Sequence, residues 1–170
     1  MSSPTAASPV MHRAKRTPCS TFRDRVPKIS WNVSIEQLKG DELAGIRILV
    51  VEDEPETLEL VSLTLRSAGA NVLEASGAET ALAELDSHAP HVVLSDLQMP
   101  GLDGYELMRL LQKRAVPPVA IALSASASLE DARRALEAGF SVHVAKPIAM
   151  TDLVETVRAV VPPVSLRPPQ

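Results

Sequence analysis

The stretch Ile46-Arg47-Ile48-Leu49-Val50-Val51-Glu52-Asp53-Glu54-Pro55 joins a nearly unbroken apolar run to three consecutive acids and a proline. A run rich in Ile, Val and Leu, without polar alternation, suits a strand covered on both faces, as in a parallel sheet. Pro55 suits the first turn of a helix, where its missing N–H costs nothing. Leu58, Val61, Leu65 and Ala68 then recur at helical spacing, and Gly69 closes the stretch. The same alternation repeats four more times. Strands are predicted near 70–75, 91–96, 118–123 and 141–145, and helices near 77–87, 103–114, 128–138 and 149–160. Five βα units of this length imply right-handed crossovers and a five-stranded, doubly wound parallel sheet with helices on both faces. Two strand orders satisfy this pattern, the Rossmann order and the flavodoxin-like order 2-1-3-4-5; both bind ligands beyond the carboxyl ends of the strands.

Composition agrees. Aromatics make up only 2% of the 170 residues and hydrophobic residues 45%, so the core must come from Val, Leu, Ile and Ala. The net charge of −4 is unevenly spread. Residues 1–28 carry six Lys or Arg against the single acid Asp24, and the remainder has eleven bases against twenty acids. An acidic body argues against general nucleic-acid binding, which needs a basic face to release counterions. The lone Cys19 excludes an internal disulfide, no apolar run approaches the roughly 20 residues that span a bilayer, and nothing resembles a secretory signal. A soluble, cytoplasmic protein with no membrane partner is expected. Residues 1–44 read as a disordered basic extension with a short helix near 35–43, on which Trp31, Ile35 and Leu38 share a face. Residues 45–161 form the folded domain. Residues 162–170 read as a Pro-rich tail, and no output domain is expected.

The strand ends carry the chemistry. Strand 1 ends in Glu52-Asp53-Glu54, strand 3 in Ser95-Asp96, strand 4 in Ser124-Ala125 and strand 5 in Lys146-Pro147. If strands 1 and 3 are neighbours, Glu52, Asp53 and Asp96 converge, and bare carboxylates so close raise the pKa of at least one of them. A hard divalent cation relieves that repulsion, and Mg2+ prefers oxygen ligands with retained waters. The turn after strand 1 lacks the glycines of a phosphate-binding loop. With a cation present, an Asp can act as a nucleophile toward phosphorus, Lys146 can neutralise phosphoryl oxygens and Ser124 can hydrogen-bond one of them.

These segments resemble the receiver domain of two-component response regulators, of the single-domain type and similar to the receivers of hybrid histidine kinases. The matching runs are Ile48 to Glu54, Leu94 to Gly104, Ala122 to Ala125, and Ala138-Gly139-Phe140 leading to Ala145-Lys146-Pro147. The resemblance implies the strand order 2-1-3-4-5 and a phosphorelay role, with Asp96 as phosphoacceptor. It assigns Mg2+ to Glu52, Asp53, Asp96 and the backbone carbonyl of Gln98, and the phosphoryl group to Ser124 and Lys146, with a cis Lys146-Pro147 bond. It implies a histidine kinase or phosphotransfer protein as donor. Output would pass to a protein target, or to a homodimer on phosphorylation, through the face of helix 4, strand 5 and helix 5, where Ala132, Ala135, Arg133 and Arg134 lie. It implies chemistry limited to slow self-catalysed phosphotransfer and autodephosphorylation. Ser124 would pair with a switch residue on strand 5, where this chain has His143 in place of the usual Tyr or Phe. His143 is either that switch or an exposed residue replacing it; an imidazole with its ordinary pKa of about 6.5 changes charge within physiological pH.

Other readings compete. A metal-dependent phosphohydrolase would need an acid beside the nucleophile, where Gln98 stands, and a degenerate docking receiver would not need Asp96 and Lys146. Asp53 could cap the helix starting at Pro55. Glu54 is expected to be solvated, Asp103-Gly104 to start a helix, and His88 and His91 to lie on the surface.

Overall fold

A computed structural model describes residues 40–161. Its elements alternate without exception: β1 (Arg47–Val51), α1 (Pro55–Ser67), β2 (Asn71–Ala75), α2 (Ala78–His88), β3 (Val92–Asp96), α3 (Gly104–Leu111), β4 (Val119–Ser124), α4 (Leu129–Ala138), β5 (Val142–Ala145) and α5 (Met150–Val160). The strands are parallel in the order β2-β1-β3-β4-β5, the flavodoxin-like alternative.

Successive side chains of a strand point to opposite faces, so each central strand feeds two cores. Ile48 and Val50 of β1, Val92 and Leu94 of β3, and Ile121 and Leu123 of β4 pack with Val61 and Leu65 of α1 and with Leu153, Val154 and Val157 of α5. Leu49, Val51, Val93, Ala120 and Ala122 face the other way, onto α2, α3 and α4, where Ala81, Leu85, Leu107, Met108, Leu111 and Ala135 complete the layer. The aliphatic composition is thus used on both sides of one sheet.

Local chemistry sets the boundaries. Asp103 accepts from the Glu106 N–H while Glu106 reaches back to the Asp103 N–H, a capping box that starts α3 where the Asp103-Gly104 pair predicts. α3 stops at Leu111, short of the expected 114. Beyond it Lys113 and Arg114 bond back to Leu110 and Leu111 in tighter turns, and the Gln112 side chain donates instead to the Ala138 carbonyl at the end of α4. Pro117 and Pro118 prevent resumption. The folded body begins before residue 45, because Leu43 is buried and its N–H donates to the Ala68 carbonyl. Glu42–Gly45 is a turn, so the expected helix near 35–43 does not extend through its last residues; residues 35–39 lie outside the described residues, as does Trp31.

His91 departs from its expected surface position. It is half-buried at the amino end of the sheet, and its Nδ1 accepts the Arg47 backbone N–H at 3.1 Å. Burial, and then the Arg47 charge, push its pKa down. His88 is exposed and pairs with Glu84. No helix among the described residues is long and apolar enough to cross a membrane.

Candidate functional site

Strand register brings the predicted residues to one edge. Val51 lies opposite Ser95, Asp96 opposite Leu123, and Ser124 opposite Ala145, so the chain leaves each strand at nearly the same level. Backbone bonds carry the ladder one step further: the Glu52 N–H donates to Ala75, the Leu97 N–H to Leu123, and the Lys146 N–H to Ser124. Glu52, Asp96, Ser124 and Lys146 are therefore mounted on the ends of regular strands, which position groups more firmly than free loops do.

Glu52, Asp53 and Asp96 each place a carboxylate oxygen within 4.8 Å of the others. Lys146 Nζ donates to Glu52 Oε2 and to Asp96 Oδ2, both at 2.6 Å. Asp96 Oδ1 accepts the Gln98 backbone N–H at 2.9 Å, so both acceptor oxygens are engaged. Ser124 is buried, and its Oγ accepts the Ser126 N–H at 3.1 Å. The Lys146-Pro147 bond is cis, as the resemblance implied.

The carboxylates differ in environment. Glu52 is only 1% exposed, whereas Asp53 stands in solvent at the rim. Burial pushes the Glu52 pKa up, opposed by the hydrogen bond from Lys146 and reinforced by the Asp96 charge. Burial pulls Lys146 down, but the hydrogen bonds to Asp96 and Glu52 outweigh it, and its pKa ends raised. An oxygen-only donor set, part buried and part open to water, fits a hard cation that keeps some of its waters. A soft or tightly dehydrated metal would find neither thiolate nor imidazole among these groups.

Asp53 does not cap α1. Glu54 occupies that position, exposed and without a capping hydrogen bond from its side chain, which instead accepts the Thr57 hydroxyl. Gly104, the first residue of α3, is packed against the Asp96 backbone: a Cβ there would come 2.3 Å from the Asp96 carbonyl oxygen. The glycine lets α3 start directly beside the end of β3.

His143 lies opposite Ala122 on β5 and is half-buried rather than exposed; its Nε2 is shielded from water without a hydrogen-bond partner among the described residues. Asp131, near it on α4, was not anticipated. Its carboxylate accepts the Ser126 and Ser128 hydroxyls, which hold its pKa down, with smaller help from the His143 and Arg134 charges. Ser128, three residues before Asp131, caps α4 by accepting the Asp131 N–H, and that Ser-x-x-acid spacing is legible in sequence. On the same helix Ala135 turns out to be core, not surface; the exposed residues are Leu129, Glu130, Arg133, Arg134, Leu136 and Glu137. Arg134 stacks 4.6 Å from the centre of the Tyr105 ring.

Comparison with known proteins completes the description. The family profile of the response regulator receiver domain matches residues 48–158. An uncharacterised 14.6 kDa protein of Leptolyngbya boryana is 40% identical over 119 residues, covering 68% of this chain and 90% of its own length. The phosphate regulon transcriptional regulatory protein PhoB of Klebsiella pneumoniae is 35% identical over 117 residues, and the match spans 67% of this chain but only about half (51%) of PhoB. Among solved structures, chemotaxis protein CheY4 of Vibrio cholerae is 26% identical with a TM-score of 0.62, over 68% of this chain and 98% of CheY4. Strand order, the acids gathered at one sheet edge and the sequence match agree, and the chain belongs to the response regulator receiver family of two-component signalling.

Proposed function

We propose that this receiver domain is phosphorylated on Asp96 and that the modification switches a protein-interaction surface. The observation that carries the reading is the Asp96 carboxylate at the end of β3, gathered with Glu52 and Asp53 and bonded to Lys146, which also bonds Glu52. An Asp96 carboxylate oxygen attacks phosphorus, forming an acyl phosphate. The bond from phosphorus to the donor's leaving group breaks, and that group departs with the electron pair and takes up a proton. In this reading Lys146 stabilises the negative oxygens of the transferring group, and the Ser124 hydroxyl donates to one of them. Mg2+, held by Asp53, Asp96, Glu52 and the Gln98 carbonyl, would supply charge neutralisation at those oxygens. The donor is a histidine kinase or a phosphotransfer protein, with which the domain shares the cytoplasm. Incubation with acetyl phosphate and Mg2+ tests the reading. Stoichiometric labelling without turnover of generic phosphate esters supports it; sustained ester hydrolysis would make the protein a phosphohydrolase, and neither activity would leave a docking module.

Asp53 gives the sharpest test of the metal. Asp53→Ala removes the most accessible carboxylate and is expected to weaken Mg2+ binding by about tenfold or more in calorimetric titration. Its unfolding free energy without Mg2+ is expected to hold or rise, because one repelling charge is gone. A titration identical to wild type would place the metal elsewhere.

Output is assigned to the face of α4, β5 and α5. There Leu129, at 90% exposure, and Leu136 flank Arg133 and Arg134, with the exposed Glu130 and Glu137 on the same helix and Glu137 paired to Arg133, a mixed apolar and charged surface suited to a protein partner or a second copy. Reversing both charges (Arg133→Glu with Arg134→Glu) is expected to abolish phosphorylation-dependent association in sedimentation or pull-down assays. Association that survives the reversal would move the output face.

His143 is the candidate relay to that face. Movement of Ser124 toward a phosphoryl group changes the space beside Ala122 and β5, where the imidazole already lies half-buried. The ring resonances of His143 are expected to shift when beryllofluoride and Mg2+ are added. Unchanged resonances would leave His143 outside the switch.

A further inference from the structure

We infer that the Pro-rich tail 162–170 docks back onto its own domain, laying Pro162, Pro163, Val164 and Leu166 in an apolar groove at the amino ends of the central strands. That groove lies at the end of the sheet away from Asp96, and holding the tail there needs no phosphorylation.

The groove encloses about 430 Å3. Its walls come from the end of α2 and the loops that enter β3 and β4, through Leu85, Pro90, Val116, Pro117 and Val119. Val116 is 85% exposed although it borders this surface. An apolar side chain left in water beside an apolar groove marks a place that a segment of chain would cover. Val161, just past α5, lines the same groove, so the tail begins at its edge.

Reach and side chains fit. The residues that follow are Pro162-Pro163-Val164-Ser165-Leu166, apolar at every position but one. Paired prolines favour an extended left-handed helix rising about 3.1 Å per residue, so this stretch reaches roughly 15 Å. Arg47 opens β1 and Val119 opens β4, with β3 between them. At about 4.8 Å per strand spacing, the width to be crossed is about 10 Å.

Hydrogen-bonding groups match as well. The Ala89 carbonyl is taken by the Arg47 guanidinium, and the His91 carbonyl by the Val119 N–H. Arg114 is committed to Asp86. What the groove still offers is donors. Arg47 pairs with no acid among the described residues. His91 accepts the Arg47 N–H on Nδ1, so its neutral ring carries the proton on Nε2. Proline has no N–H and contributes only a carbonyl acceptor, which suits Pro162 and Pro163 to a surface of donors. A docked tail would tie the end of α5, one element of the assigned output face, to the start of β1.

Paramagnetic broadening in the full chain tests this. A nitroxide is attached at Arg167→Cys, just past the docking residues, with Cys19→Ser removing the native thiol. Expected is loss of the Arg47, His91 and Val119 amide signals. A tether alone also brings the label near, so two variants separate docking from tethering. Leu166→Ser weakens the tail, and Val116→Asp weakens the groove at a side chain exposed enough for the fold to tolerate the change. Each is expected to restore the three signals and leave the rest of the spectrum in place. Should Val116→Asp disturb the fold, Leu166→Ser decides alone. Mixing nitroxide-bearing protein with 15N-labelled protein that lacks the nitroxide reads contacts between copies. Broadening within one molecule that the variants relieve, with none in the mixture, supports docking. Broadening in the mixture would give the groove to the tail of a second copy. Signals untouched by the nitroxide, or broadened equally in wild type and variants, would leave the groove to another partner or to none. Either of these last two results overturns docking of the tail on its own domain.

Discussion

Asp96→Asn is expected to take up no phosphoryl group from acetyl phosphate under conditions that label the wild type to completion, and to lose every phosphorylation-dependent association with it. The amide is a poor nucleophile, and no other carboxylate stands in its place. Asp53 is at the rim, and Glu52 is buried with its Oε2 already on Lys146. The fold is expected to survive. Asn Oδ1 can still accept the Gln98 N–H, and Lys146 keeps Glu52 as its partner. Stability should change by less than about 1 kcal/mol, because a lost ion pair is balanced by relief of repulsion among the acids. Far-ultraviolet circular dichroism and urea unfolding check the second expectation, and intact-protein mass spectrometry the first. Labelling of the variant equal to wild type would remove Asp96 from its role.

Lys146→Met should have the largest effect on stability. Methionine keeps an apolar stem of similar length but leaves Glu52 and Asp96 facing each other without a cation. Breaking one side of a buried ion pair costs about 3–5 kcal/mol, and partial exposure of Lys146 reduces that to roughly 2–3 kcal/mol here. The loss depends on pH in a defined direction. Burial raises the Glu52 pKa, so the folded state holds that proton more tightly than the unfolded chain. The stability gained from protonation is complete below the unfolded value and disappears as pH rises through the folded one. The deficit of Lys146→Met relative to wild type should therefore be largest above the raised Glu52 pKa and shrink in acid. Mg2+ should restore part of it by binding the folded state and relieving the same repulsion. Urea unfolding between pH 4.5 and 8, with and without Mg2+, checks both. A deficit constant across pH and indifferent to Mg2+ would mean that Lys146 acts through packing rather than charge.

Much of this was legible before coordinates. A buried parallel strand, an acid-rich or polar turn and an amphipathic helix each leave a local signature, and five such units in series admit few folds. Strand order was not contained in that periodicity; it needed the resemblance, and the structure then set β1 against β3. The candidate site residues were visible because they sit at strand ends, where a break in hydrophobic pattern marks a carboxylate, hydroxyl or ammonium. Features that depend on distance across the sheet were not visible. The contact between Glu52 and Lys146 spans two intervening strands, and nothing local to either residue encodes it. His91 read as a surface residue because an acceptor role for its Nδ1 depends on where Arg47 starts β1. Ala135 was placed on the outer face because Ala132, Arg133 and Arg134 are its neighbours in sequence, but small residues do not reveal which side of a helix meets the sheet.

The most direct test of the central claim is to locate the phosphoryl group. Wild-type protein labelled with acetyl phosphate and Mg2+ is reduced with borohydride, which converts an acyl phosphate on aspartate to homoserine, and is then digested and sequenced by mass spectrometry. A single homoserine at position 96, absent when Mg2+ is chelated, is the predicted result. Homoserine at Asp53 or another acid, or labelling indifferent to Mg2+, would contradict the assignment of Asp96 as the acceptor in a cation-dependent site.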